Sequence, residues 1–232
     1  MRNTPVPDPT PMPAANDEMA MLRLAMQLHL HPEAELHPSW LPPGWPLRHR
    51  RVAQLGPGGL AVLSELLRSR DGLGREPDYR FEARLKRLAL MDGASLRRLA
   101  VLTGWCAHAG PLMQRGAVGA QLRRQARRHG DDVEEFVCER APRLTALRMD
   151  PRTLEQRPAG AGHIVVSRGY RLLLGTAASE GAATLDRVRR KLPHRVSRLR
   201  LPSLDTAQRS QLEELMLSCI VPERLPQWDW LF

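Results

Sequence analysis

Apolar residues recur at three- and four-residue intervals through this chain, and nowhere do they alternate with polar residues long enough to build a sheet. That periodicity confines the chain to helices, because a helix brings i, i+3 and i+4 to one side whereas a strand brings i and i+2. Between Pro77 and Met91, Phe81, Leu85, Leu88 and Ala89 share a face that Arg80, Glu82, Arg84, Lys86 and Arg87 avoid. Leu60, Leu63 and Leu67 repeat behind Pro57 and Gly58, and Leu96, Leu99, Ala100 and Thr103 line up behind a capping Asp92. Leu212, Leu215, Met216, Cys219 and Ile220 come after a capping-box-like pair, Asp205 and Gln208. Asn16 is the predicted N-cap of a first helix reaching about Leu28, with Asp17 and Glu18 in its first turn. Pro111 to Arg128 is read as one helix ended by Gly130, and Asp132 to Arg140 as a short one. Only residues 163–175, HIVVSRGYRLLLG, are ambiguous. Ile164, Val165 and Val166 favour a strand, but Tyr170 to Ala178 alternates too little to pair with it, so the segment is read as helix. The predicted fold is all-α, a single compact multi-helix domain over residues 16–225.

Prolines mark its limits. Pro5, Pro7, Pro9, Pro11 and Pro13 make residues 1–15 a predicted disordered Pro-rich tail. Residues 31–46, HPEAELHPSWLPPGWP, cannot form a long helix, yet Leu36, Trp40, Leu41 and Trp45 are apolar enough to hold the segment on the body. Pro151, Pro158, Gly160 and Gly162 make residues 149–162 a linker and a possible sub-boundary. Residues 226–232 end in WDWLF and form an aromatic C-terminal tail.

The formal charge of +10 invites a nucleic-acid reading. All but Lys86 and Lys191 of the 35 basic residues are arginine, while Ile, Asn and Tyr are rare. That joint skew matches a GC-rich bacterial genome rather than selection for a polyanion. The arginines also spread over several helices without the interleaved aromatics of single-strand binders, so a basic nucleic-acid-binding or regulatory protein stays the alternative. No early stretch has the apolar core of a signal peptide, and no run approaches the roughly 18 apolar residues of a membrane span. The longest, Met19 to Leu30, is broken by Arg23, Gln27 and His29. Cys106, Cys138 and Cys219 form no CxxC and no disulfide framework, which suits a reducing cytoplasm.

Three groupings could carry chemistry. His29, His31 and His37 offer a His-x-His, but residues 29 and 31 diverge on a helix end and no fourth ligand completes a zinc site. Cys106 and His108 could pair as thiol and imidazole, but Cys106 comes after Trp105 in an apolar helix, where burial raises the thiol pKa. Asp131, Asp132, Glu134 and Glu135 occupy a first helical turn, while Arg123, Arg124, Arg127 and Arg128 fall in the last turns of the helix before. Both placements complement helix dipoles. Neither a phosphate-binding loop nor a nucleophile elbow is present. The expectation is a non-enzymatic protein with no catalytic residues, no metal and no cofactor.

Residues 28–42, LHLHPEAELHPSWLP, resemble the N-terminal signature of the type III secretion accessory component called the K subunit (SctK or YscK type). The signature's early proline is Pro32, its Leu-His is Leu36-His37, and its Leu-Pro beside tryptophan is Leu41-Pro42 next to Trp40. Residues 85–104, LKRLALMDGASLRRLAVLTG, resemble the family's helix–Gly–helix segment, with Gly93, Arg97 and Arg98 in place and Asp92 where the family has His. A third match runs from Ser167-Arg168-Gly169 to Lys191-Leu192-Pro193. The resemblance implies a helical cytoplasmic protein at the cytoplasmic face of the bacterial inner membrane. It implies a link between the cytoplasmic domain of the inner-membrane ring protein (SctD type) and the pods built from the SctQ-type protein. Through the pods it would reach the stator and ATPase indirectly. It implies no specific nucleic acid and no membrane insertion. The Arg123, Arg124, Arg127 and Arg128 face is a candidate dock for an acidic partner surface, and Trp228 and Trp230 are candidate anchors.

Overall fold

The computed structural model describes residues 15–41, 55–71, 80–147 and 149–232, so the predicted tail and Pro42 lie outside the described residues. Helices α1 (Ala15–Leu30) and α2 (Gly56–Asp71) come first, followed by a 3-10 segment over Arg84–Leu90. Next are α3 (Gly93–Cys106), α4 (Ala109–Met113), α5 (Ala117–Arg127) and α6 (Asp131–Glu135). The second half holds α7 (Arg152–Gln156), α8 (Ala161–Ser179), α9 (Ala182–Arg190) and α10 (His194–Ser197). It ends with α11 (Thr206–Glu213), α12 (Val221–Arg224) and a 3-10 turn over Pro226–Leu231. No strand occurs among the described residues, and the fold is all-α. The ambiguous residues 163–175 lie inside α8.

α3 and α8 are the principal helix pair of one continuous core. Leu96, Leu99, Leu102 and Trp105 of α3 and Val165, Leu172 and Leu173 of α8 are fully buried or nearly so. Each such side chain contributes about 1.5–3 kcal/mol through removal from water. Two glycines set the distance between these helices. A Cβ on Gly169 would run into the backbone carbonyl of Ala100, and one on Gly104 into the carbonyl of Val165. The chains therefore meet backbone to backbone.

Local chemistry sets the ends. The Asp92 carboxylate accepts from the amides of Ala94 (2.7 Å) and Ser95 (2.8 Å) at the start of α3. Asp205 and Gln208 close a full capping box on α11. A π-helical turn over Glu214–Ile220 joins α11 to α12, whose Pro222 has no N–H to donate and a ring that crowds the preceding turn.

Three helices differ from their sequence expectation: α1 already includes Ala15, so Asn16 lies within its first turn rather than capping it. Residues 111–128 are not one helix: the chain breaks at Gln114–Gly116, where Gly116 takes φ 99°. Arg123 ties the break together by donating to the carbonyls of Leu112 (2.5 Å) and Gln114 (3.2 Å). In the 80–91 segment the winding is 3-10 over Arg84–Leu90, which places Leu85 and Leu88 one above the other. Residues 149–162 contain α7, a 3-10 turn and the start of α8, and Leu154 and Ala161 are buried in the common core. The last residues also return to the body: Arg84 Nε donates to the Phe232 carbonyl (3.1 Å), and Arg87 Nη1 to that of Leu231 (2.9 Å).

A second, smaller cluster holds α2. Leu36 and Leu63 are its buried centre, with Trp40, Leu41, Leu55, Leu60 and Leu67 around them. Trp40 is half-buried rather than enclosed; its indole N–H donates to the Leu192 carbonyl (2.9 Å) and its ring meets His194 edge-on at 4.6 Å. Trp40→Ala removes ring contacts and this hydrogen bond together, so stability is expected to fall by about 2–3 kcal/mol in urea unfolding. A loss under about 0.5 kcal/mol would mean that Trp40 does not fasten the 31–41 segment.

Candidate interaction surface

The residues that could have carried chemistry are spread apart and engaged in holding the fold. Arg187 Nη2 lies 3.2 Å from both ring nitrogens of His29, His31 Nδ1 lies 3.3 Å from Glu33, and His37 Nδ1 accepts from the Ser39 amide (3.2 Å) as a cap. These histidines do not converge, and no group of metal-ligating side chains occurs among the described residues. Burial pushes the Cys106 thiol far up. His108 turns to Arg168, whose guanidinium Nη1 lies 3.1 Å from its Nε2. That contact requires a neutral ring accepting at Nε2. Burial, then the Arg168 charge, push the His108 pKa down to about 4 from 6.5. The unfolded chain therefore binds the extra proton between those values, and stability should fall as pH drops from about 6.5 to about 4. His108→Gln should flatten that part of the profile in thermal unfolding across pH; an unchanged slope would show that His108 is not responsible.

The acidic turn of α6 is electrostatic glue. Arg98 donates to both Asp132 oxygens at 2.6 Å, and Arg224 approaches the same carboxylate at 3.5 Å. These partners outweigh the desolvation of Asp132 and hold its carboxyl below the usual range. Glu134 receives Arg127 at 2.6 Å and Arg123 at 3.5 Å. The predicted α5 basic face is thereby divided: Arg123 and Arg127 are committed to Glu134, while Arg124 and Arg128 stay exposed. The aromatic tail divides too. Trp228 donates its indole N–H to Ser95 Oγ (2.8 Å), whereas Trp230 keeps an exposed ring.

The signature residues from distant parts of the chain meet. Pro32 and Leu36 line a cleft with Arg187, Arg190 and Lys191, and the His37 amide donates to the Arg190 carbonyl (2.9 Å). Lys191 is buried, its Nζ donating to the Met91 carbonyl at 2.7 Å. Gly93 sits so close that a Cβ there would stand 2.5 Å from the Lys191 carbonyl oxygen. Sequence reasoning named Pro32, Leu36, His37, Trp40, Gly93 and Lys191–Pro193 as separate matches; the fold makes them neighbours. It missed His194, Arg195 and Tyr170 on the same side, for which the only local signal is a run of basic residues without acid.

With those motifs in contact, the comparisons with known proteins bear directly on them. Residues 23–223 match the family described as YOP proteins translocation protein K (YscK). The chain belongs to the YscK family. No curated protein and no solved structure matches it. As a YscK-family member it is a protein of type III secretion, and the match spans both the 28–42 and the 85–104 signatures. No helix among the described residues is long and apolar enough to cross a membrane. One face of α1 is apolar and exposed all the same: Met19, Leu22, Met26 and Leu30 succeed one another at three- and four-residue steps.

Proposed function

We propose that this YscK-family protein is a non-enzymatic adaptor at the cytoplasmic face of the inner membrane. It links the cytoplasmic domain of the SctD-type ring protein to the SctQ-type pod protein, and through the pods to the stator and ATPase. The observation that carries this reading is the family match across residues 23–223. The geometry supports it in a second way. The polar side chains that could act chemically are tied into hydrogen bonds and ion pairs of the fold, and the unengaged groups are surface ones. An adaptor needs rigid, separate faces more than it needs a pocket, and interface energy concentrates in a few anchors.

Tagged protein should co-purify both the ring protein's cytoplasmic domain and the pod protein from a secretion-competent bacterium. Recovery of neither at mild salt would sink the adaptor reading. On this reading Arg124 and Arg128 belong to a docking face on α5 and Trp230 is a separate candidate anchor, while Arg123 and Arg127 are paired with Glu134. Reversing Arg124 and Arg128 to Glu should leave the thermal midpoint unchanged and weaken one partner about tenfold. Equal binding by the variant would remove α5 from the interface.

A further inference from the structure

Two segments meet on one side of the molecule, and the later one, residues 190–195, is basic. The turn over Pro38–Trp40 lies against residues 190–195: the His37 amide donates to Arg190, the Trp40 indole to Leu192, and the His194 amide to Ser39 Oγ (2.7 Å). Arg190 stands 5.9 Å from the centre of the Trp40 ring, within cation–π range. Arg195 lies on α10 and Arg97 on α3, whose first residue packs against this stretch, a Cβ on Gly93 standing 2.5 Å from the Lys191 carbonyl oxygen. Both arginines act on the same two neighbours. Burial, then Arg97 and Arg195, hold the His37 imidazole below its usual pKa, and the same two arginines oppose the upward push of burial on Tyr170.

Acidic residues are sparse in the stretches of sequence that meet there. No Asp or Glu occurs between Glu35 and Glu65, between Asp92 and Asp131, between Glu155 and Glu180, or between Asp186 and Asp205. His37 and Trp40, Arg97, Tyr170, and Arg190 to Arg195 each come from one of those stretches. Glu35 lines the cleft beside Arg190, and both Glu35 and Asp92 act on the buried Lys191. Neither Arg97 nor Arg195 has an ion pair or hydrogen bond among the described residues, and Arg195 is exposed. This is the opposite of α5, where Glu134 answers two of four arginines. Like charges gathered without an internal partner cost stability in the free protein and are relieved by an acidic surface brought from outside.

We propose that this junction, with Arg97 and Arg195 as its cations and His37, Trp40 and His194 beside them, is the docking surface for an acidic segment of a protein partner. The proposal rests on the adaptor reading and adds to it the place and the chemistry of one contact. A protein segment fits better than a nucleic acid, because the Trp40 ring is already engaged by His194 and Arg190 and is not free to stack on a base. It also fits better than a lipid surface. Among the described residues, none of the large exposed apolar side chains, Met19 through Trp230, belongs to the segments that meet here, and a peripheral membrane site needs apolar insertion beside its cations.

The test uses the full chain and a fluorescent polyglutamate peptide, with duplex DNA and phosphatidylserine vesicles as further arms, at low salt and at ~150 mM salt. The wild type should bind the peptide saturably, and Arg97→Glu with Arg195→Glu should lose at least about tenfold. Arg152→Glu with Arg157→Glu, an equal charge change on exposed arginines, should retain it. Arg195→Glu alone and Arg97→Gln, each with an unchanged thermal midpoint, keep the result readable if the double reversal unfolds. Equal peptide binding by the wild type and the Arg97/Arg195 variants overturns the proposal. So does DNA or vesicle binding that is tighter than peptide binding and lost in the same variants. Co-purification separates the two ideas. If both partners are recovered while the peptide ignores Arg97 and Arg195, the adaptor stands and this surface falls. If the peptide depends on Arg97 and Arg195 and neither partner is recovered, the surface stands and the adaptor falls.

Discussion

Gly169→Leu is expected to prevent folding altogether, and Gly169→Ala to lower stability by at least about 3 kcal/mol. The reason is what a side chain would meet. A Cβ on Gly169 collides with the Ala100 carbonyl and stands 3.0 Å from the Gly104 amide nitrogen, so only backbone could yield. A flexible side chain can turn aside, but a helical carbonyl cannot move without opening the α3–α8 pair. Prising the pair apart would loosen side chains that are otherwise fully buried, among them Leu99, Trp105 and Leu173. Domains of this kind are stable by only about 5–15 kcal/mol, so a bulky residue at the crossing exceeds what the rest can compensate. Gly160 is the control. A Cβ there meets nothing within 4 Å, and Gly160→Ala should change stability by less than about 1 kcal/mol. Urea unfolding of the three variants checks this; Gly169→Ala as stable as wild type would falsify the close-crossing account.

Deleting the gene should abolish effector secretion while the membrane rings still assemble. That pairing of outcomes is required by the adaptor reading, because the lost link would lie on the cytoplasmic side of a ring that forms without it. Secretion measured in culture supernatant and ring assembly seen in isolated membranes are read from the same strain. Restoring the wild-type chain should restore secretion, and restoring the Arg97→Glu, Arg195→Glu chain should not if its surface makes an essential contact. Normal secretion in the deletion strain would end the adaptor reading.

Much of the fold is written in local signals. Asp92 and Asp205 act on amides two or three residues away, and the helical period from Leu96 to Thr103 depends on near neighbours, so both are legible from sequence. The same holds for α8, where lack of alternation outweighed Ile164-Val165-Val166. What could not be read are meetings between residues far apart in the chain. Gly104 and Gly169 look like helix-weakening residues until the two helices touch. Pro111–Arg128 looks like one helix because a break at Gly116 is marked only by conformation. Arg123 and Arg127 look like a free basic face until Glu134 is seen between them. Arg97 and Arg195 have no local relation at all; they lie on different helices, α3 and α10, and only the tertiary fold relates them.

The bonds at the end of the chain bear on how it is made. The last turn over Pro226–Leu231 is fastened by Arg84, Arg87 and Ser95, through pairs 148, 144 and 133 residues apart. A ribosome emits about 5–20 residues per second, so residues 84–95 are made well before residues 226–232 can reach them. The contacts that Trp228 and Leu231 make with that earlier stretch can form only after most of the chain described here has emerged. Closing such long loops is slow, so this corner of the fold depends on contacts that arrive late.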